Sequence, residues 1–269
     1  MGNKKSVSLV LLAYKEEENL RVLLPKIRKT LDKLDTEYEI VVVDTDVPYD
    51  NTAEVCKEND VRYVNQPGKG FADAFRMGIK EAKNDLFLIM DSDGSLEPDS
   101  IPDMYRTFID NSCDVVIGSR YVKGGSTKNG TVSVLMSHTL NLVFRIALGI
   151  KAKDISIDYR MYDTQQLKSV TLTNENYDVL QEVLLKLRIN KPDLKIEEIP
   201  IEFKQRVYGD SKRQLIPFMI GYVKSLFRLT AMRMKYEIFP KIKTPIKPIL
   251  IIAGILTAVL GIVSIVSKR

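Results

Sequence analysis

Two carboxylates, Asp91 and Asp93, close the apolar run Leu86-Phe87-Leu88-Ile89-Met90. In an extended chain residues two apart face the same way, so both acids point to one side of a strand end. Mg²⁺ and similar hard cations take one or two such carboxylates and complete their shell with water and substrate phosphates. Asp, Ser and Gly are also ordinary turn residues, so Asp91-Ser92-Asp93-Gly94 by itself fits a plain strand end as well. Two basic loops, residues 119–125 with Arg120 and residues 206–212 with Arg206 and Lys212, offer donors suited to phosphate oxygens. Gly68-Lys69-Gly70 has neither the G-x-x-x-x-G-K-[ST] nor the G-x-G-x-x-G spacing. The small residues Gly70, Ala74, Gly78 and Ala82 favour a helix packed close to a sheet, with phosphate binding at its start as the other role. His138 is the sole histidine and reads as a polar helix edge. Cys56 and Cys113 make no metal spacing and no disulfide framework, which fits a reducing compartment.

The elements that must position these groups alternate. Strands are predicted over 7–13, 38–44, 61–64, from Leu86 to the acids, and over 114–118. Helices are predicted over 16–34, after the turn-rich piece 45–52 and from Gly70. This alternation predicts an α/β fold with a doubly wound, mostly parallel sheet, whose ligands bind outside the carboxyl ends of its strands. Beyond Gly118 the pattern predicts an apolar helix over 131–149, a strand-like piece over 154–162, a helix over 175–188 and a strand over 195–203.

Charge is unevenly spread over the 269 residues. Residues 201–269 hold 13 Lys and Arg against 3 Asp and Glu, leaving 27 against 32 in the rest. Because the basic residues interleave with aliphatic runs, this tail favours an anionic lipid surface over nucleic acid. Residues 214–236 set Leu215, Phe218, Met219, Tyr222, Leu226, Leu229 and Met232 toward one face. They predict an interfacial helix, the other reading being a helix buried against the rest of the chain. Ile249–Val266 is an eighteen-residue stretch without a charge, long enough to span a bilayer once. Lys241, Lys243 and Lys247 precede it and predict a cytoplasmic N-terminal part. No secretory signal opens the chain, while Met1–Ser6 fits a myristoylation pattern. The expected divisions are 1–212, 213–247 (interface helix and basic linker) and 248–267 (membrane span).

Six stretches in this order resemble the GT-A-fold family 2 glycosyltransferases, most closely the dolichol-phosphate mannose synthase group. They are Leu12-Ala-Tyr14-Lys-Glu16-Glu-Glu-Asn19, Glu39–Asp46, Lys69-Gly70 with Ala74 and Gly78, Met90–Asp93, Ile117–Gly125, and Arg206-x-x-Gly209-x-Ser211-Lys212. The resemblance implies a nucleotide-sugar site at Leu12, Tyr14, Glu16, Asp44, Asp46, Asp91 and Ser92. It implies Mg²⁺ or Mn²⁺ on Asp91 and Asp93, an acceptor phosphate on Arg120, Arg206 and Lys212, and Asp93, Arg120, Arg206 and Lys212 as the catalytic set. Departures from the family pattern are Leu12 for proline, Lys15 for asparagine, an added Tyr49, Ser95 for glutamine, Ser133 for arginine and Asp158 for glycine.

The expected activity is inverting transfer of a hexose, mannose favoured, from a nucleotide-diphosphate sugar of GDP-mannose or UDP-glucose type. The expected acceptor is a polyprenyl or dolichyl phosphate at the cytoplasmic membrane face. A diverged, non-catalytic nucleotide-sugar-binding or scaffold protein is the alternative that the departures allow, and a nucleotidyltransferase is a third.

Overall fold

The first strand of the chain, β1 (Val7–Leu12), lies near the middle of a seven-stranded sheet, and its first five residues are buried. It pairs in parallel with β2 (Tyr38–Asp44) on one side and β4 (Leu86–Asp91) on the other. β3 (Arg62–Asn65) extends the β2 edge in parallel. In β4, Leu86–Met90 are buried, as a strand covered on both faces requires. The computed structural model describes residues 4–206, 208 and 215–239.

Helices α1 (Glu17–Leu31), α2 (Thr52–Glu58), α3 (Phe71–Glu81) and α4 (Ile101–Asp110) connect and cover these strands. The apolar positions expected of α1, including Leu20, Leu23, Leu24, Ile27 and Leu31, are buried. The stripe of small residues in α3 does what its spacing suggests: a Cβ added to Gly78 would lie 2.6 Å from Val10 Cγ1. That contact is closer than carbon atoms tolerate, so the helix rests on β1 only because position 78 carries no side chain.

The sheet departs from the expected pattern beyond β5 (Val115–Ser119). Strand β7 (Arg160–Asp163) inserts between β4 and β5 and runs antiparallel to both, while β8 (Ile196–Pro200) adds in parallel outside β5. The strand-like piece expected over 154–162 is therefore a strand only from Arg160. Its first half is diverted: the Ile155 and Ile157 carbonyls accept from the Arg160 guanidinium, and Asp154 pairs with Arg120. Arg160 is fully buried, with further bonds to Leu180 O and Tyr162 Oη.

The expected strand over 195–203 breaks after Pro200, and β9 (Glu202–Phe203) pairs with β6 (Ser126–Thr127) in a separate ribbon. Helix α7 (Val179–Asn190) starts four residues later than expected, since Asn174 and Asp178 bond each other and Glu182 caps the Thr173 and Asn174 N–H groups. A short α6 (Thr164–Lys168) precedes it, capped by Asp163.

Helix α5 (Thr131–Leu148) packs beside α8 (Leu215–Arg233), with Phe144 edge-on to Tyr222 at 5.7 Å. Tyr222, Leu226 and Leu229 are buried in the same core as the sheet. Of the apolar positions expected on one face of 214–236, Tyr222, Leu226 and Leu229 meet protein, as in the other reading of that stretch, while Lys224, Phe227 and Arg228 are exposed. Lys212 and the stretch 249–266 lie outside the described residues. Among the described residues no helix is long and apolar enough to cross a membrane.

Candidate active site

The carboxyl ends of β1, β2 and β4 form one lip. Leu12 is in register with Asp91 and with Val43, so the next residues, Ala13, Ser92 and Asp44, leave the three strand ends at one level. Ser92 donates from Oγ to Leu12 O at 2.6 Å, tying the turn after β4 to the end of β1. Asp93 Oδ1 accepts from Ser95 N–H at 2.9 Å, which fixes the carboxylate against its own turn.

Arg206 holds the other oxygen. Its Nη2 lies 3.1 Å from Asp93 Oδ2 and its Nη1 3.2 Å from Glu16 Oε1. Glu16 is buried and accepts from Asn19 Nδ2 at 2.6 Å, and Asn19 in turn meets the backbone of Tyr208. Lys204 adds two links, from its N–H to Ser95 O at 2.8 Å and from Nζ to Glu97 at 3.0 Å. The start of the second basic loop is thus laid across Asp93 and Glu16.

On the β2 side, Asp44 is buried and accepts from Thr45 N–H at 2.7 Å and Tyr63 Oη–H at 2.9 Å. Burial raises its carboxyl above the usual range despite those bonds, and burial beside Asp44 pushes the Tyr63 hydroxyl up to about 12. Asp46 is exposed. Tyr14 is 43% exposed, its ring centroid 5.4 Å from that of Tyr49, with Lys15 Nζ near both rings. Tyr49, the added residue of the loop after Asp46, therefore builds an aromatic pair with Tyr14, a role that its position in the sequence did not signal.

Arg120 occupies a different setting. Its side chain is 10% exposed and forks onto the fully buried Asp154, with Nε to Oδ2 at 2.7 Å and Nη2 to Oδ1 at 2.8 Å. Ser156 and Ser137 hydroxyls accept from the same Nη2, and the guanidinium lies over the Tyr121 and Phe203 rings. Burial alone pushes this guanidinium down; the bonds and charge of Asp154 more than reverse it. The loop can turn back here only with Gly125, since a Cβ there would sit 2.5 Å from Ser119 O. Arg120 is therefore committed to Asp154, while Arg206 is committed to Asp93 and Glu16.

The chemistry of these donors suits a hard cation shared with a ligand. Asp91 and Asp93 stand at the open strand ends, and Ser95 Oγ is buried with no hydrogen-bond partner among the described residues. No group of three or more His, Cys, Asp or Glu able to cage a metal occurs among the described residues, so phosphate oxygens would have to complete the shell. His138, expected at a polar helix edge, is exposed and stacks on Tyr121 at 3.8 Å between centroids. Both cysteines are buried, which raises the Cys56 thiol to about 12 and Cys113 to about 11.

A mostly parallel sheet with one reversed strand, and acids at the end of its fourth strand, define an α/β fold of GT-A type. Residues 8–171 match the Glycosyl transferase family 2 profile, and the chain belongs to that family. It is 35% identical over 240 residues to the dolichol-phosphate mannosyltransferase of Pyrococcus furiosus, covering 86% of this chain and 64% of that protein's length. It is 30% identical over 221 residues to the undecaprenyl-phosphate mannosyltransferase of Micrococcus luteus, covering 77% and 86% respectively. Among solved structures, glucosyl-3-phosphoglycerate synthase from Mycobacterium tuberculosis with Mg²⁺ and uridine diphosphate superposes with a TM-score of 0.66 at 17% identity, covering 84% of this chain and 80% of that one. The same enzyme with Mn²⁺, uridine diphosphate and phosphoglyceric acid gives 0.66 at 18% identity, covering 84% and 78%. These structures share the fold.

Proposed function

We propose that this protein transfers a hexose, mannose favoured, from a nucleotide-diphosphate sugar to a polyprenyl phosphate at the cytoplasmic face of a membrane. The observation that carries this reading is Arg206, held between Asp93 and Glu16 at the mouth of the strand ends. A donor diphosphate brought to Asp93 offers Arg206 oxygens of the same charge as the carboxylates it now holds, in the planar geometry that a guanidinium prefers.

In this mechanism Tyr14 and Tyr49 border the nucleoside, with Asp44, Asp46 and Glu16 beside it. Leu12 and Ser92 shape the floor. Asp91 and Asp93 would hold Mg²⁺ or Mn²⁺, which supplies Lewis-acid relief of the charge on the leaving nucleoside diphosphate. One acceptor phosphate oxygen forms the new bond to the anomeric carbon as the bond from that carbon to the diphosphate oxygen breaks, and the electron pair departs with the diphosphate. The acceptor oxygen is already anionic near neutral pH, so no side chain has to remove a proton. Arg206 and Lys212 would offset the repulsion between the two phosphates, and Arg120, tied to Asp154, would orient the loop over them. The single span over 249–266 would keep the site at the membrane surface.

The Arg120–Asp154 pair supports one second reading, a diverged family member that binds the nucleotide sugar without turning it over, because Asp154 already balances the charge of Arg120. Labelled GDP-mannose and UDP-glucose, incubated with the protein, polyprenyl phosphate and Mn²⁺, separate the two readings on thin-layer plates. Labelled lipid, lost with a chelator and reduced on the order of 10²–10³ in Asp93→Ala of unchanged fold, supports the enzyme. Binding of nucleotide sugar with no labelled lipid from any donor would overturn it.

A further inference from the structure

Strand β9 has only two residues, too few to be held by its own ladder. Glu202 is exposed and Phe203 packs against the core, as period-two alternation requires, so the ring of Phe203 fastens this segment to the domain. Arg206 stands three residues further on, at most about 11 Å along the chain. Whatever fixes Phe203 therefore fixes where the second basic loop begins.

Three segments of the site converge on this residue. On one side Thr127 pairs with Phe203, and Lys128 N–H donates to Phe203 O at 2.9 Å. Both belong to the loop after β5, which also carries Arg120. On the other side Leu96 bridges to Phe203, and Lys204 N–H donates to Ser95 O at 2.8 Å. Those residues belong to the turn after β4, where Ser95 N–H holds Asp93 Oδ1. One backbone position thus registers the acid turn, the Arg120 loop and the Arg206 loop on each other.

The side chain adds a contact that the backbone cannot. The Arg120 guanidinium carbon lies 5.4 Å from the Phe203 ring centroid and 4.9 Å from that of Tyr121. Tyr121 travels with Arg120 on the same loop, so Phe203 is the ring that ties this cation to the segment leading to Arg206. Nε and Nη2 are engaged by Asp154, Ser137 and Ser156. Among the described residues no hydrogen bond engages Nη1, which leaves that nitrogen for an anion. Asp154 fixes one edge of the guanidinium, and the rings restrict tilting of its plane about that edge. A flat ring confines a planar cation in a way that an aliphatic side chain does not.

We propose that Phe203 is a positioning residue for the transfer: its ring sets the plane of the Arg120 guanidinium, and its backbone ties that plane to the turn carrying Asp93. The inference rests on the proposed function for the roles of Arg120 toward the acceptor and Asp93 toward the donor. Its stacking can nevertheless be read without turnover. Phe203→Leu keeps an apolar side chain for the core and removes the flat face, whereas Phe203→Tyr keeps that face. Should Phe203→Leu not fold, Phe203→Met takes its place.

In the full-length protein Phe203→Leu should lower kcat/KM for polyprenyl phosphate about tenfold, the scale of a partly desolvated cation–π contact, with the nucleotide-sugar Kd in Mn²⁺ kept within about twofold. Phe203→Tyr should retain most of the activity. On an Arg120→Lys background the leucine substitution should cost nothing further, because no guanidinium plane remains to be held. A loss that Phe203→Tyr reproduces, one that adds in full to that of Arg120→Lys, or one confined to the nucleotide-sugar Kd overturns the inference. The Arg120 Nε–H resonance, assigned by its absence in Arg120→Lys, reads the stacking directly. It should move in Phe203→Leu and stay in Phe203→Tyr, and a signal unmoved by Phe203→Leu overturns the inference whatever the activity. A protein inactive with every donor overturns the proposed function instead, and the same signal still shows whether the ring holds the guanidinium.

Discussion

Arg206 Nη2 stands 3.1 Å from Asp93 Oδ2, so the cation nearest this acid is a side chain from the far end of the domain. The two residues are 113 positions apart in sequence. The contact balances a carboxylate at an otherwise anionic lip and holds the start of the second basic loop across the cleft. A dication and a diphosphate arriving together would let both ends of this pair exchange partners without leaving either charge bare.

That exchange makes Arg206→Gln informative. With the competing guanidinium gone, Mn²⁺ alone should bind up to about fivefold more tightly, the scale of a partly exposed ion pair. Turnover should fall at the same time. Electron paramagnetic titration of free Mn²⁺, run beside the transfer assay, reads both; unchanged metal affinity would show that the pair does not guard the site.

The Arg120–Asp154 pair is buried on both sides, and removing one partner strands the other. Asp154→Asn should lower stability by about 3–5 kcal/mol, read from denaturant midpoints at constant m-value. The double variant Arg120→Met with Asp154→Leu should recover much of that loss, because neither charge then remains.

Tyr14 and Tyr49 pair their rings at 5.4 Å between centroids, with Lys15 Nζ near both. Loss of the Tyr49 ring should raise the KM for the nucleotide sugar about threefold to tenfold, in line with aromatic stacking of about 0.5–1.5 kcal/mol. kcat should hold. A fall in kcat at unchanged KM would place Tyr49 elsewhere in the reaction.

Glu182 contributes to the pH dependence of the fold. It is fully buried, and burial by itself would raise its carboxyl. Lys186, both Thr173 groups and the Asn174 N–H outweigh that and hold it below its usual 4.5. A carboxylate with a depressed folded value stabilises above the unfolded value and loses that contribution as pH drops through the folded one. Stability should therefore decline as pH falls below 4.5, and Glu182→Gln should be weaker at pH 7 yet decline less. Urea midpoints across that window decide the matter.

The strands β1, β2 and β4 and the helices α1, α3 and α5 were legible along the chain, because continuous apolar runs and helical spacing are local properties. The acids at the end of β4 were legible for the same reason. Helix α4 left no prediction, although Ile101, Met104 and Phe108 bury a face at helical spacing. The reversed strand β7 could not be read from its own residues. Its partners Leu86–Ile89 and Val115–Ile117 are remote in sequence, and its direction follows from the turn that Asp154 and Arg160 make inside the core.

By itself the sequence determined the order of the elements, the acidic strand end and the basic, apolar character of the tail, since these rest on neighbours a few residues apart. Only the tertiary structure decided which charges meet. Arg120 and Arg206 look alike along the chain, yet one is neutralised by Asp154 inside the fold and the other bridges Glu16 and Asp93 at the cleft. Ion pairing depends on distances of a few ångströms between segments 34 to 190 residues apart, and no local pattern encodes those.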